Sequence, residues 1–210
     1  MARSKSSHQW LKKHFDDEFV KRAQREGWRS RAVYKLEEID RKYRLIRPGM
    51  TVVDLGAAPG GWSQYVAKVL AGKGRIIALD ILEMQPLPGV EFIHGDFTED
   101  EPLDLLMNSL GSEQVDLVLS DMAPNISGMQ AVDQPRGIYL VELAMDFAAK
   151  VLGKNGNLLF KAFQGEGFED VTKTLRGQYR TVLIRKPKAS RPRSREVYVL
   201  AQGYNRVNVS

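Results

Sequence analysis

Cysteine is absent from this chain of 210 residues. Without a thiol the chain forms no disulfide, no thiolate metal site and no iron–sulfur cluster, and it has no cysteine nucleophile. The three histidines, His8, His14 and His94, are far apart in sequence and lack the spacing of metal ligands. We therefore predict no metal site, and the lack of cysteine is compatible with the cytoplasmic location that we expect.

Long apolar runs are also absent, since no stretch approaches the roughly 20 residues that a membrane span needs. Residues 1–13 are polar and basic, without the apolar centre of a secretory signal, so we expect no export and no membrane partner. Hydrophobic residues still make up 43% of the chain, which is enough for one substantial core. We predict a single domain over residues 1–210, in which residues 1–47 form a basic helical N-terminal appendage.

The net charge of +5 is unevenly distributed. Residues 1–47 contain 14 Lys or Arg against 7 acidic residues, and residues 173–196 contain 9 against 1. The remaining residues contain 8 basic and 18 acidic side chains. Two basic flanks around an acidic centre favour nucleic acid at the flanks and a small-molecule site in the middle. The alternative is that the charged flanks are simply solvated.

Residues 51–62, with the sequence TVVDLGAAPGGW, are typical of a nucleotide-binding βα unit. An apolar, β-branched strand leads into a glycine turn, where Gly56 and Gly60 let the backbone approach a ligand closely. The dinucleotide motif G-x-G-x-x-G does not fit, because Ala58 replaces its second glycine and Pro59 has no amide to donate. We therefore predict a ligand with a nucleoside but no phosphate. S-adenosylmethionine fits this description and a nicotinamide dinucleotide does not.

The hydrophobic periodicity alternates between strands and helices along the chain. Strands are predicted at residues 51–53, 75–80, 90–96, 115–121, 157–163, 179–186 and 196–201. Helices are predicted at residues 8–26, 29–44, 62–70, 135–152 and 168–175, with stops at Gly27 and Gly153. This alternation, closed by a hairpin, predicts an α/β fold with a mostly parallel sheet and an antiparallel last strand.

Charged residues stand where several of these strands end. Ligands bind at the carboxyl ends of parallel strands, so we expect Asp80, Asp96, Asp121 and Lys161 to share one crevice. The start of an antiparallel last strand brings Glu196 to the same edge. We predict that Asp80 binds ribose hydroxyls, with a turn-capping aspartate as the alternative, and that Asp96 accepts from an adenine amino group.

Lys161 lies in the apolar run LLFKAF, where a lysine is costly to bury unless it is paired or neutral. Methyl transfer to a hydroxyl needs a base, because an alcohol attacks a sulfonium carbon poorly while it holds its proton. We predict that Lys161 supplies this base, with a lysine that reaches solvent at the strand end as the alternative. Methylation of a base amino group is disfavoured because the segment from Asp121 to Asn125 has no aromatic residue after its proline.

Six motifs, DLGAAPGGWSQY, SDMAPN, VELA, KAFQGEGF, SRPRSREVY and RSRAVYKLEEI, together resemble the FtsJ/RrmJ family, most closely its bacterial RlmE type. These proteins are class I S-adenosylmethionine-dependent RNA 2′-O-ribose methyltransferases. The resemblance covers nearly the whole chain. It implies a Rossmann-like, seven-stranded sheet with helices on both faces.

The resemblance also implies site residues. Its catalytic set corresponds to Lys35, Asp121, Lys161 and Glu196 in this chain, with Lys161 as the proton acceptor. Its cofactor contacts correspond to Gly60, Trp62, Asp80, Asp96 and Asp121. Lys35 enters only through the resemblance, because helical spacing alone would leave it on a solvated basic face.

The resemblance finally implies a substrate and a partner. S-adenosylmethionine would be the cofactor, and the target would be a uridine 2′-hydroxyl in the A-loop of 23S rRNA on the assembled 50S subunit. We expect a monomer that does not bind DNA. Another RNA target, such as a tRNA anticodon loop or a cap ribose, is the first alternative. The second is an RNA-binding assembly factor with a disused cofactor pocket, although a disused site has no reason to keep its costly charges.

Overall fold

The computed structural model describes residues 17–205. Its strands are β1 (Thr51–Leu55), β2 (Arg75–Asp80), β3 (Glu91–His94), β4 (Val115–Ser120), β5 (Leu152–Phe163), β6 (Tyr179–Arg185) and β7 (Glu196–Tyr204). Its helices are α1 (Glu18–Glu26), α2 (Val33–Tyr43), α3 (Gly61–Leu70), α4 (Asp100–Leu110), α5 (Gln130–Val151) and α6 (Phe168–Gln178). All belong to one α/β arrangement around a single sheet.

The sheet has seven strands in the order β3-β2-β1-β4-β5-β7-β6. The five strands from β3 to β5 are mutually parallel, and β7 runs antiparallel to both of its neighbours, β5 and β6. The predicted mostly parallel sheet with an antiparallel last strand is therefore confirmed. The order reverses at β1 and β4, which is where open α/β sheets bind ligands.

Hydrophobic side chains alternate between two cores, one on each face of the sheet. Val53 and Val118 point to the face covered by α4, α5 and α6. Val52 and Leu117 point to the opposite face, where they join buried residues of α2 and α3 such as Leu36. Packing of α2 against the sheet therefore sets the position of the whole helix, including its polar side chains.

Several predicted boundaries are wrong. The prediction has no helix at α4, although the acidic first turn of α4 and its Pro102 are typical of the start of a helix. Helix α5 begins at Gln130 and not at Pro135, which lies inside the helix. Helix α5 ends at Val151 and β5 follows directly, so Gly153 lies within a strand. The predicted stop of the first helix at Gly27 is confirmed by its left-handed φ of 73°, while residues 8–16 of that helix lie outside the described residues.

The strand register lines up one row of residues across the carboxyl edge of the sheet. The last pairs of the parallel strands β1, β2, β4 and β5 at this edge are Leu55 with Leu79, Leu55 with Ser120, and Ser120 with Phe160. The next residue of β5, Lys161, pairs with Tyr198 of β7. One residue further along β1, β2 and β4, the row therefore reads Asp80, Gly56, Asp121, Lys161, Tyr198. Because side chains alternate along a strand, the row belongs to the face that α2 and α3 cover.

Candidate active site

The glycine turn after β1 leaves room for the segment that follows β4. Gly56 has a φ of 73°, and a Cβ there would lie 2.8 Å from the backbone nitrogen of Met122 and 2.9 Å from its Cα. Only glycine therefore permits the exits of β1 and β4 to pass so closely. The turn ends at Gly60, whose φ of 103° precedes the first residue of α3.

A cavity of about 430 Å³ opens at this edge of the sheet. Its lining includes Gly56 and Ala58 of the turn and three of the predicted cofactor residues, Asp80, Asp96 and Asp121. Segments after β2 and β4 complete it, with Ile81, Leu82, Phe97, Met122, Pro124 and Leu140 among the apolar contributors. A largely apolar cleft with a few carboxylates matches the polarity of a nucleoside.

Gly60 and Trp62, the other two predicted cofactor residues, do not line this cavity. The indole of Trp62 is buried, donates a hydrogen bond of 2.8 Å to the carbonyl oxygen of Ala32 and packs against the ring of Tyr198. Trp62 thereby joins α3 to the start of α2. The predicted cofactor role of Gly60 and Trp62 stays a prediction.

Backbone amides of nearby turns hold the two acidic residues at the β2 and β3 end of the cavity. Asp80 accepts 2.8 Å hydrogen bonds from the amides of Ala58 and Leu82, one on each carboxylate oxygen. Asp96 accepts from the amide and hydroxyl of Thr98 through a single oxygen, Oδ1. Each carboxylate oxygen has more than one acceptor site, so both side chains keep capacity for ribose hydroxyls or an adenine amine.

Asp54 lies beneath this row in β1 and is fully buried. Its Oδ2 accepts a 2.6 Å hydrogen bond from the hydroxyl of Ser63, while Oδ1 has no partner among the described residues. Burial raises the pKa of Asp54 to about 7, and the charges of Asp121 and Asp80 add to the effect. Our sequence reasoning passed over Asp54, although an aspartate inside an otherwise apolar strand was a usable signal.

All four predicted catalytic residues meet at the other end of the row, where Tyr198 connects them. The Lys161 Nζ lies 3.1 Å from Oδ1 of Asp121, which also accepts a 2.8 Å hydrogen bond from the Tyr198 hydroxyl. Lys35 in turn donates to that hydroxyl at 2.9 Å and forms a 2.8 Å ion pair with Glu196. The catalytic array, as we call these five residues, is therefore one continuous hydrogen-bonded chain.

Sequence reasoning had not assigned a role to Tyr198. Its ring is fully buried, and burial together with the charges of Asp121 and Glu196 holds its pKa well above the ordinary value of 10.0. The hydroxyl therefore stays protonated and remains a donor to Asp121. The available signal was its position two residues after Glu196, which puts both side chains on the same face of β7.

Asp121 is ionised in spite of its surroundings. Burial alone would raise its pKa, but the charges of Lys161 and Lys35 and the hydrogen bond from Tyr198 hold that pKa below 3.8. The structure thus combines a carboxylate with two ammonium groups in a partly buried space. Such an arrangement can orient a sugar hydroxyl and stabilise charge that develops on it.

A second cavity of about 320 Å³ lies on the other side of the catalytic array. Lys35, Lys161 and Glu196 line it, and Ala123 belongs to the walls of both cavities. Its remaining lining residues are Arg31, Ala32, Ile126, Phe163, Arg191 and Ser194. The catalytic array therefore lies between a cavity lined by aspartates and apolar residues and a cavity whose lining includes four basic side chains.

The basic flanks are partly engaged within the protein. Arg31 pairs with Asp17 and donates to the carbonyl oxygen of Ala189. Arg29 donates to the carbonyl oxygens of Gln85 at 2.6 Å and Pro86 at 2.8 Å, which ties it to the loop after β2. Charge counts along the chain therefore overstate the number of cations that are free for phosphates.

Residues 17–205 contain neither a candidate metal site nor a candidate membrane-spanning helix. No group of three or more His, Cys, Asp or Glu side chains there is arranged to hold a metal ion. No helix within that range is long and apolar enough to cross a membrane.

Comparison with known proteins extends these observations. Residues 28–204 match the family model of the FtsJ-like methyltransferases. A protein from Legionella pneumophila (strain Corby) named ribosomal RNA large subunit methyltransferase E is 60% identical over 205 residues, covering 98% of this chain and 100% of that protein. A protein of the same name from Hydrogenovibrio crunogenus is 59% identical and covers 97% of this chain and 98% of its own length.

Solved structures agree with the sequence comparison. A crystal structure described as a ribosomal RNA methyltransferase from Plasmodium falciparum superposes with a TM-score of 0.77 at 28% identity, covering 84% of this chain and 98% of that one. A fibrillarin/Nop5p complex superposes with a TM-score of 0.55 at 18% identity, over 80% of this chain and 79% of that one, which is a likeness of fold alone.

Proposed function

The chain belongs to the FtsJ-like methyltransferase family, and from this premise we propose that it methylates large-subunit ribosomal RNA. The methyl group would pass from S-adenosylmethionine to the 2′-hydroxyl of a uridine ribose, in the A-loop of 23S rRNA on the assembled 50S subunit. The observation that carries the proposal is the Asp121–Lys161 pair, which lies between the two cavities. The names of the relatives support the choice of ribosomal RNA.

The first cavity suits S-adenosylmethionine. Its lining contains three aspartates but no lysine or arginine, which favours a nucleoside with a cationic sulfonium over a ligand with phosphates. Asp80 would bind the ribose hydroxyls and Asp96 the adenine amine, while Asp121 would face the methionine end. When bound, the cofactor supplies an electrophilic methyl group on its sulfonium.

Lys161 is the proposed base. Its Nζ accepts the proton of the 2′-hydroxyl while the ribose oxygen bonds to the methyl carbon and the carbon–sulfur bond breaks. This step uses Lys161 as the neutral amine, so its ammonium proton passes to solvent through the second cavity, which Lys161 lines, before the ribose is bound. Asp121 and Lys35 orient the ribose, and Tyr198 and Glu196 hold those two side chains in place.

The basic edge of the second cavity is the proposed approach for RNA. Arg191 lies in the connection between β6 and β7, beside Ser194, and both line the cavity next to Lys35. Contacts to phosphates by such residues make binding strongly dependent on salt. We infer a partner in the cytoplasm, the large ribosomal subunit, and a protein that acts as a monomer.

Transfer of radiolabelled methyl from S-adenosylmethionine tests the proposal. The acceptors are large subunits from cells that lack the endogenous enzyme, with free ribosomal RNA and tRNA in parallel. We expect label in the subunits, mapped to a uridine 2′-oxygen. Label in tRNA alone would retain the chemistry and replace the substrate. The absence of label in every acceptor, with cofactor binding intact, would favour an RNA-binding assembly factor.

A further inference from the structure

The second cavity is lined by two chemically different sets of residues. The polar set consists of Arg31, Lys35, Lys161, Arg191, Ser194 and Glu196. The apolar set consists of Ala32, Ala123, Ile126 and Phe163. A nucleotide likewise combines an anionic sugar-phosphate with the flat apolar faces of its base. The polar set is accounted for by the proposed methyl transfer, and the apolar set is not.

Ile126 stands out in the apolar set because it is highly exposed. Its side chain is 69% exposed, the highest value among the exposed large hydrophobic residues of the described chain. The position is fixed even though no core covers it. Asp133 in α5 accepts three hydrogen bonds from the loop that carries Ile126, from the amide and hydroxyl of Ser127 at 2.8 Å and the amide of Gly128 at 3.0 Å.

These hydrogen bonds lower the pKa of Asp133, so the anchor is ionised under ordinary conditions. An exposed apolar side chain that lines a cavity can contact a molecule bound there. This cavity also contains both lysines of the catalytic array.

Phe163 supplies the second apolar group. It lies at the end of β5, two residues after Lys161 and on the same face of the sheet, and it pairs with Glu196 of β7. The ring is half-buried and lines the cavity. An aromatic ring next to the proposed base is well placed to contact the base of the nucleotide whose ribose is methylated.

We propose that Ile126 and Phe163 form the binding surface for the target nucleobase. The base leaves its stack in the RNA and lies against these two side chains, while its 2′-hydroxyl reaches Lys161 and the flanking phosphates lie near Arg191. Contact with apolar and aromatic surface compensates for the lost stacking. The proposal deepens, and rests on, the methyl-transfer function proposed above.

The main test compares the full-length wild-type protein with Ile126→Ala, Ile126→Leu and Phe163→Leu. Leu105→Ala is the matched control, because Leu105 is also exposed, at 51%, but lies on α4 and lines neither cavity. Methyl transfer is measured against the concentration of large subunits, and binding of S-adenosylmethionine is measured by calorimetry.

We expect Ile126→Ala and Phe163→Leu to lower kcat/KM for the subunits roughly ten-fold, the scale of one lost stacking contact. Ile126→Leu should retain most of the activity, and Leu105→Ala should match the wild type. Cofactor affinity should be the same in all five proteins. Wild-type kcat/KM in both Ile126→Ala and Phe163→Leu would overturn the proposal.

A second measurement separates base binding from contact with a ribosomal protein. A carbodiimide modifies uridines whose N3 is accessible, so we expect the target uridine to be protected in subunits bound to the wild type and exposed again with Ile126→Ala. Slower transfer by Ile126→Ala without this change would overturn the proposal in favour of a protein partner. If the wild type labels no RNA, the methyl-transfer proposal itself fails. If the wild type labels RNA and the variants Ile126→Ala and Phe163→Leu have wild-type kcat/KM, only the proposal of a nucleobase surface is refuted.

Discussion

The two ends of the residue row across the sheet hold their carboxylates in different ways. At the cofactor end, Asp96 accepts a hydrogen bond from the amide of Thr98, two residues away. Asp80 accepts from the amide of Leu82, also two residues away, and from the amide of Ala58 in the glycine turn, 22 residues away. At the catalytic end, Asp121 is held by Lys161, 40 residues away, and by Tyr198, 77 residues away. The proposed binding residues are thus held by backbone amides of turns, whereas the proposed catalytic carboxylate is held by side chains from other strands of the assembled sheet.

This contrast predicts that substitutions at one end change the transfer rate and substitutions at the other end change cofactor affinity. Substitutions of the array residues that do not line the first cavity, Lys35, Lys161, Tyr198 and Glu196, should reduce the rate and leave cofactor affinity intact. Substitutions of Asp80 or Asp96 should do the opposite. A variant that lowers both by the same factor would contradict the division.

The largest expected effect is that of Lys161→Ala. Loss of a general base costs between about 10²- and 10⁴-fold in rate, and we expect transfer to large subunits to fall by roughly 10³-fold. Affinity for S-adenosylmethionine should stay close to that of the wild type, because Lys161 does not line the first cavity. Single-turnover transfer and calorimetry measure the two quantities.

The control for this variant is Lys154→Ala, which removes an exposed lysine from the same strand. It should transfer methyl at the wild-type rate. Loss of cofactor binding in Lys161→Ala would refute the assignment of Lys161 as the base.

Asp80→Asn, at the cofactor end of the row, should weaken cofactor binding. The new amide nitrogen must face the backbone donor of either Ala58 or Leu82, so one hydrogen bond becomes a contact between two donors. We expect the dissociation constant for S-adenosylmethionine to rise roughly ten- to hundred-fold, the scale of a lost hydrogen bond to a charged group. The rate at saturating cofactor should change much less, and Asp104→Asn on the surface of α4 should change neither quantity.

Asp54, which lies beneath the row, makes the stability of the folded protein depend on pH. Its pKa rises from an ordinary 3.8 to about 7 on folding, so the native state keeps a proton that the unfolded chain releases. The stability from this group is complete below about pH 4 and is lost as the pH rises to 7, with a slope approaching about 1.4 kcal/mol per pH unit. Asp121 acts in the opposite direction but only below about pH 4, because its pKa is lowered.

Asp54→Asn should therefore flatten the decline of the melting temperature between pH 5 and 7, by several degrees at about 2–4 °C per kcal/mol for a chain of this size. Thermal unfolding at a series of pH values measures it, with Asp146→Asn on the surface of α5 as control. An unchanged pH profile in Asp54→Asn would contradict the buried, protonated state.

Tyr198→Phe should have the smallest effect. The ring and its packing against Trp62 remain, but Asp121 loses a donor and Lys35 loses an acceptor. We expect kcat/KM for subunits to fall about ten-fold, the scale of one or two net hydrogen bonds, with cofactor affinity preserved. Tyr204→Phe removes another largely buried hydroxyl, away from the array, and should leave the kinetics unchanged. A normal kcat/KM in Tyr198→Phe would remove Tyr198 from the catalytic array.

Much of the cofactor end was predictable from sequence. The strand that ends at Asp80 is predicted by its hydrophobic pattern and β-branched residues, and the turn around Gly56 by the spacing of its glycines. Each of these signals extends over fewer than ten residues. The start of α5 was predicted wrongly because Pro135 is typical of a first helical residue, and the Asp133 anchor in the first turn of α5 was not recognised.

By itself, then, the sequence determined the α/β alternation, the glycine turn after β1 and the carboxylates at the strand ends, because each of these depends on near neighbours in the chain. Only the tertiary structure decided that Lys35 of α2 meets Glu196 of β7, that Tyr198 joins them to Asp121, and that two cavities lie on either side. Those contacts depend on how α2 packs on the sheet and where β7 inserts, and the burial of apolar residues distributed over the whole chain sets that geometry.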